Sequence, residues 1–167
     1  MVYNFFMSYL KISLGIFVAL AASRFIPHPP NFTSLIALSF YVPAILGTIY
    51  IFPVVLSFAI TDLFIGMHGV TFFTWGSVIL IGIISQFFKF SIFKRISGSI
   101  IGVFIFFIFT NFGVWTQGFY GYTLEGLTTC YLLALPFVGY SLVSTLIFSS
   151  IIESIISIKV IKKKILK

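Results

Sequence analysis

The sequence predicts an all-α integral membrane protein, with about six transmembrane helices in one bundle and both termini in the cytoplasm. Of its 167 residues, 60% are hydrophobic and only 8% are charged, and the mean hydropathy is +1.19. A soluble domain carries roughly 25% charged residues. A spanning helix needs about 20 apolar residues, so about six spans nearly fill the chain. We therefore expect a single transmembrane domain over residues 1–167 and no soluble domain.

Long apolar runs, separated by short polar stretches, set the predicted helix boundaries. Spans are expected at residues 5–23, 34–52, 54–65, 71–88, 96–115 and 140–158, with a short outer helix at 124–135. The three prolines between Pro27 and Pro30 exclude a helix there, because proline lacks an amide donor. Pro53 suits the first turn of the third helix. Pro136 and Gly139 are expected to separate the short outer helix from the last span.

The basic residues predict how the chain is oriented. Nine of the ten lysines and arginines fall at one side of this topology, and Arg24 stands alone at the other. An excess of cations marks the cytoplasmic side, so we read the net charge of +7 as a topology signal and not as a nucleic-acid site. The expected location is a bacterial inner membrane, with the lipid bilayer as surroundings. On the cytoplasmic side Glu153 is the only acid, and it is expected within reach of the tail lysines.

Polar groups from separate helices converge on the outer side of this topology. Ionisable groups near hydrocarbon are costly unless they are paired or face a watery cavity, so they suggest a functional site. Arg24 is expected to pair with Asp62 or Glu125. The alternative is that such a pair only ties helix ends together. The candidate ligand-binding residues are Arg24, His28, Asn31, Asp62, His68, Asn111, Trp115, Glu125 and Tyr131.

The motifs of common enzymes are missing from the sequence. It contains no His-Glu-x-x-His, no phosphate-binding Gly-x4-Gly-Lys-Ser/Thr and no Gly-x-Ser-x-Gly. His28 and His68 with Asp62 form a weak metal-site candidate, because two distant histidines carry little specificity. A single cysteine, Cys130, excludes an intramolecular disulfide. We predict no enzyme activity, no catalytic or metal residues and no cofactor. A small membrane enzyme built on those three residues is the least favoured interpretation.

Small residues recur along one face of the first predicted helix. Gly15, Ala19 and Ser23 are spaced four apart, which places them on one helix face and lets another backbone approach closely. The occupant of this face is either the protein's own helices or a docked partner protein. Gly98 and Gly102 predict a second close approach in the fifth helix.

Three segments resemble an uncharacterised bacterial membrane family that we associate with the substrate-capture (S) subunits of energy-coupling factor transporters. They are Arg24-Phe25-x-Pro27-His28-Pro29-Pro30-Asn31-Phe32-Thr33, then Asp62 with Gly66 and His68, and Thr110-Asn111-Phe112-Gly113-Val114-Trp115. The resemblance implies capture of a vitamin-like molecule or ion from outside, and docking on a transmembrane coupling subunit with its ATPases. Gly15, Ala19 and Ser23 would be the docking face, although the characteristic pattern has alanine at both ends of the four-residue step.

The leading hypothesis is therefore a substrate-binding transport subunit. Arg24 and His28 would contact an anionic group, and Asn111 would form a hydrogen bond to the ligand. Trp115 and Tyr131 would supply aromatic walls, and the proline-rich connector would close over the pocket. The alternative is a membrane scaffold or assembly factor, without a ligand, whose polar layer only neutralises helix ends.

Overall fold

The computed structural model describes residues 2–165, with side chains for residues 3–158. This part of the chain is all-α, which confirms the predicted class, and it contains six α-helices. They are α1 (Val2–Phe25), α2 (Leu35–Leu46), α3 (Ile51–Ile65), α4 (Thr71–Ile84), α5 (Ile92–Trp115) and α6 (Leu124–Ile165), with 3-10 turns at Thr48–Tyr50 and Ser85–Phe87.

Within residues 2–165, four helical segments are long and apolar enough to cross a membrane. They are Tyr3–Phe25, Thr48–Ile65, Ile92–Trp115 and Leu124–Ile158, whereas Leu35–Leu46 and Thr71–Phe87 are apolar but shorter. The third segment includes the 3-10 turn ahead of α3, which lengthens it to 18 residues.

The second helix is shorter than the sequence predicted. α2 ends at Leu46 and not at residue 52, because Gly47 adopts a φ of 103°, which only glycine tolerates without strain. The Gly47 amide donates to the Pro43 carbonyl at 2.9 Å, which ends the helical hydrogen bonding. α3 begins at Ile51, three residues before the predicted start at residue 54, so Pro53 lies at its third position, within the first turn.

The predicted break at Pro136 is wrong. Residues 124–135 and 140–158 belong to one helix of 42 residues, α6, which passes through Pro136. A proline removes one backbone hydrogen bond and usually kinks a helix, but apolar helices of membrane proteins tolerate it when neighbouring groups satisfy the freed carbonyl. Thr123 does cap the start of this helix, because its hydroxyl accepts from the Gly126 amide at 3.0 Å.

The bundle is tied together around α2, α4 and α5. An added Cβ on Gly98 of α5 would lie 2.6 Å from the Phe40 ring of α2, and one on Gly102 would lie 3.2 Å from Ile81 of α4. At both glycines the backbone of α5 is therefore in direct contact with a side chain of another helix, which is the close approach that the sequence predicted. The buried apolar cluster at this crossing contains Ile36, Phe40, Tyr41, Ala44, Ile81 and Val103.

The bundle has two chemically different ends. At one, which we call the connector end, the 26–34 connector lies near the loops that precede α4 and α6. Here the Gln117 side-chain amide donates to the Gly69 carbonyl at 3.3 Å. At the other, the basic end, the turn after α2 meets the α4–α5 loop, where the Gln86 amide donates to the Pro43 carbonyl at 2.8 Å. The candidate site lies at the connector end.

Candidate functional site

A buried ion pair joins the ends of α1 and α3. Arg24 Nη2 lies 2.7 Å from Asp62 Oδ1, and the two side chains are 13% and 1% exposed. Of the two acids that the sequence proposed as partners for Arg24, the structure selects Asp62. A charge removed from water is tolerated when a partner of opposite sign and further hydrogen bonds compensate it. Both are present here.

Further contacts fix both members of the pair. Arg24 Nη1 donates to the Phe58 carbonyl at 3.2 Å and to the Thr61 hydroxyl. The guanidinium carbon also lies 4.5 Å from the centre of the Phe58 ring, within cation–π range. On the other side Trp75 of α4 donates its indole N–H to Asp62 Oδ2 at 2.8 Å. Three helices, α1, α3 and α4, are therefore linked through one buried carboxylate.

Arg24 keeps hydrogen-bonding capacity after these contacts. A guanidinium carries five N–H donors, and three of them are used by Phe58, Thr61 and Asp62. Asp62 matches the charge of Arg24, and two N–H donors of the guanidinium have no partner among the described residues. An arginine with a matched charge and two such donors binds a neutral acceptor as well as an anion.

Arg24 lines one of two adjoining cavities at the connector end. The first has a volume of about 370 Å³ and includes Arg24, His28, Thr33 and Phe58 in its wall. The second has a volume of about 360 Å³ and includes Thr110, Asn111, Tyr120 and Cys130. Five residues belong to both walls, so we treat the two as one outer cavity; they are Asn31, His68, Thr74, Phe106 and Ser141.

The lining of the outer cavity combines basic, amide and hydroxyl groups with aromatic rings. Among the described residues that line it, none is acidic. Phe58, Phe106, Phe107 and Phe137 supply the aromatic surface. Pockets for small organic molecules are typically of this size and mix apolar walls with a few polar groups. The arrangement suits a compact organic molecule that carries hydrogen-bond acceptors.

The proline-rich connector forms part of the wall. His28 Nδ1 lies 2.7 Å from the Pro29 carbonyl and Nε2 lies 3.3 Å from the Arg24 carbonyl, so both ring nitrogens are directed at the backbone. Asn31 takes a left-handed φ of 61°, a conformation that asparagine adopts more readily than most residues. The Asn31 carbonyl accepts from Ser144 of α6 at 3.5 Å. His28 and Asn31 therefore shape the connector as well as the cavity.

Two further predicted residues line the cavity from other elements. The Asn111 side-chain amide donates to the Phe107 carbonyl at 2.8 Å, which leaves its oxygen and one N–H. His68 follows α3, and Thr71 holds its backbone through hydrogen bonds at 3.2 and 2.6 Å. Arg24, His28, Asn31, His68 and Asn111 are thus brought together, with Asp62 directly behind Arg24.

The other three predicted ligand residues lie outside the cavity. Trp115 donates its indole N–H to the Gly121 carbonyl at 3.0 Å and packs against Tyr122, which orders the α5–α6 loop. Tyr131 donates to the Ile108 carbonyl at 2.6 Å and faces a separate apolar groove between α5 and α6. Glu125 is exposed in the first turn of α6, where an acid favours the helix dipole. The phenylalanines named above provide the aromatic walls instead.

Sequence reasoning missed several residues of the site. Trp75, Thr61 and Phe58 hold the ion pair, and Thr74 and Ser141 line the cavity. The sequence gives a partial indication of Thr61 and Phe58 as neighbours of the ion pair, since they precede Asp62 by one residue and by about one helical turn. Nothing in the sequence marks Trp75 as the partner of Asp62, because the two residues lie on separate helices and no motif connects them.

The described residues contain no group of three or more His, Cys, Asp or Glu side chains that could hold a metal ion. Asp62, the acid considered with His28 and His68, is instead bonded to Arg24 and Trp75.

The chain belongs to the family of unknown function DUF6580. The match extends over residues 6–165 and so includes all six helices. No curated protein and no solved structure matches the chain significantly.

The small-residue face on α1 is open at two of its three positions in this family member. Gly15 and Ala19 are exposed, and no atom lies within 4 Å of a Cβ added to Gly15. Ser23 is different, because its hydroxyl lies 2.7 Å from that of Ser34. Internal packing therefore explains Ser23 and leaves Gly15 and Ala19 on the surface of the bundle.

At the basic end Glu153 forms a second ion pair, with Arg95, and its expected approach to the tail lysines stays a prediction. Arg95 Nε and Nη2 donate to the two oxygens of Glu153 at 2.6 and 2.7 Å. Glu153 thus accepts two hydrogen bonds from Arg95 of α5. The side chains of the tail lysines lie outside the described residues. Arg95 also donates to the Lys89 carbonyl at 3.1 Å, which fixes the α4–α5 loop.

Proposed function

We propose that the protein is a substrate-binding subunit of a membrane transporter, set in a bacterial inner membrane with both termini in the cytoplasm. The outer cavity would then face outward. The observation that supports this most is the convergence of Arg24, Asn31, His68 and Asn111 on one cavity of suitable size. Four segments long and apolar enough to span a bilayer agree with the location. The sequence resemblance to energy-coupling factor S subunits supports the class of transporter.

The ligand would be a small organic molecule with hydrogen-bond acceptors, neutral or carrying one negative charge. The spare N–H donors of Arg24 would hold an acceptor such as a carboxylate or carbonyl. Asn111 would provide a donor and an acceptor from the facing wall. Flat rings would lie against the phenylalanines, with offset or edge contacts. His28 would act through the connector, because both its ring nitrogens are directed at backbone carbonyls.

A thermal-shift screen of the purified protein against vitamins, related metabolites and metal ions tests binding. A ligand at 100 times its Kd stabilises the folded protein by about 2.7 kcal/mol. The shift should shrink in Asn111→Ala and Arg24→Lys, because the first loses a hydrogen-bonding group and the second the guanidinium fork. It should persist in Tyr131→Phe, the matched control outside the cavity. Equal shifts in all four proteins would contradict the proposed site.

The open part of the α1 face would be the docking surface for a transmembrane coupling subunit with its ATPases. Gly15 and Ala19 leave room for another helix to approach closely. A mild-detergent pull-down from the native host, followed by mass spectrometry, should recover those partners. Gly15→Leu should abolish the recovery without changing the unfolding temperature, since that position is open. Unchanged recovery with Gly15→Leu would exclude this face.

A scaffold or assembly factor is the second candidate, and one observation favours it. The Arg24–Asp62 pair ties α1, α3 and α4 together around a carboxylate that is 1% exposed. A purely structural pair would look the same. The scaffold predicts no ligand shift in the thermal screen, and recovery of partners that are neither coupling subunits nor ATPases.

A further inference from the structure

A row of three hydroxyl side chains and one carboxylate runs along α6 from the outer cavity to the basic end. Ser141, Thr145, Ser149 and Glu153 are spaced four apart and therefore share one helix face. Their exposed fractions are 4%, 0%, 1% and 6%. From the first to the last the row covers about 18 Å of helix at 1.5 Å per residue. Polar side chains thus face the interior of the bundle for more than three turns.

The upper end of this row opens into the cavity already described. Ser141 lines both parts of the outer cavity. One turn further, the Ser144 hydroxyl bonds the carbonyl of Asn31 at 3.5 Å, which joins the row to the connector. The row therefore begins where a bound molecule would lie.

The middle of the row carries a hydroxyl that the protein does not satisfy. Thr145 Oγ1 is buried and has no hydrogen-bond partner among the described residues. Serines on the outer side of the same helix behave differently: Ser150 and Ser154 each donate to the carbonyl four residues earlier at 2.8 Å. Buried polar groups are nearly always paired. An unpaired hydroxyl within the row therefore points to a polar guest.

The lower end of the row is closed by the second ion pair. Ser149 lies 3.3 Å from the Ser99 hydroxyl of α5, and the Tyr41 hydroxyl faces Ser149 and Glu153. One turn below, Glu153 is bound by both prongs of Arg95. A continuous polar face thus connects the cavity with a charged contact at the basic end.

We propose that this row is the path by which a small polar solute leaves the outer cavity toward the basic end, with Arg95–Glu153 as its gate. The inference rests on the proposed function, because it gives the captured ligand a second exit. Thr145 and Tyr41 would bond the passing solute or its water. Opening would require α5 and α6 to separate at the ion pair.

Thiol accessibility tests the path without any ligand. In a Cys130→Ser background, single cysteines replace Thr145, Ser149 and, as a control, Val54 of α3, which is about as buried but belongs to a separate apolar cluster away from α6. Each is treated with the anionic, membrane-impermeant reagent sulfonatoethyl methanethiosulfonate in right-side-out and inside-out vesicles. Rates are compared between the native ion pair and Glu153→Gln.

We expect Glu153→Gln to raise the reaction rates at positions 145 and 149 at least tenfold from the basic end, with position 54 unchanged. Rates at 145 and 149 that stay equal to the rate at 54 would overturn the path. An equal rise at all three positions would also overturn it, because that indicates general loosening of the bundle. If Glu153→Gln does not fold, Arg95→Lys replaces it, which keeps the charge and loses the two-pronged contact. Loss of ligand binding in the thermal screen would refute the proposed function and leave these rates unaffected.

Discussion

The two buried ion pairs of this protein use the same chemistry at opposite ends and differ in what surrounds them. Arg24–Asp62 connects α1, α3 and α4 and borders the outer cavity, and Arg24 retains N–H donors. Arg95–Glu153 joins only α5 and α6, with both carboxylate oxygens bound. The first pair forms part of the wall of the outer cavity, and the second acts as a clasp that joins two helices. An arginine–carboxylate pair in an apolar bundle therefore has no fixed role, and its neighbours decide it.

The largest effect should come from Asp62→Asn. It leaves Arg24 without its counter-charge in a site where the acid is 1% exposed. Removing one member of a buried pair costs about 3–5 kcal/mol. The apparent unfolding midpoint in detergent should fall steeply, and Asp62→Glu should recover part of the loss. A midpoint within experimental error of the parent would mean that the pair contributes little to the bundle.

Glu153→Gln should have a smaller effect, of about 3 kcal/mol, the lower end of the cost of breaking a buried ion pair, since the Glu153 side chain is 8% exposed and that of Asp62 only 1%. Fewer elements depend on this carboxylate, because it holds Arg95 alone while Asp62 also accepts from Trp75. The same unfolding assay, run beside Asp62→Asn, ranks the two pairs directly. The reverse ranking would show that the clasp is the more important structural element.

Trp75→Phe should have the smallest effect of the three. It removes the indole donor to Asp62 and keeps an aromatic ring in place, which costs about 1.5–3 kcal/mol for a hydrogen bond to a charged group. It should also weaken ligand binding, because Asp62 then holds Arg24 less rigidly. Titration calorimetry with a compound found in the thermal screen measures this, with Trp115→Phe as the control outside the cavity. Equal affinities of Trp75→Phe and Trp115→Phe for the compound would show that Trp75 does not contribute to ligand binding.

The sequence predicted the all-α class and the pairing of Arg24 with one of two acids. These depend on length, composition and the position of charges between apolar runs. It failed where the direction of a side chain matters. The prediction of Trp115 and Tyr131 rests on residue type and predicted depth alone, and neither property shows whether the ring faces the cavity. Both rings bond to nearby backbone carbonyls instead.

Local signals also misled where the surroundings decide. Pro136 would end most helices in water, yet α6 continues through it. Gly47, by contrast, stops α2 because its backbone takes a positive φ, which the sequence alone does not show. The pair Arg95–Glu153 joins residues 58 positions apart on two helices, so only the packing of α5 against α6 reveals it.

The central claim, that the outer cavity holds a small molecule, is tested most directly at Cys130. This residue is the only cysteine of the chain, lines the cavity and is itself buried. Its rate of modification by N-ethylmaleimide is measured with and without a compound that stabilises the protein in the thermal screen. We predict that the compound slows the reaction at least tenfold and that Asn111→Ala removes this protection. An unchanged rate at Cys130 under saturating compound would place the ligand elsewhere and contradict the account.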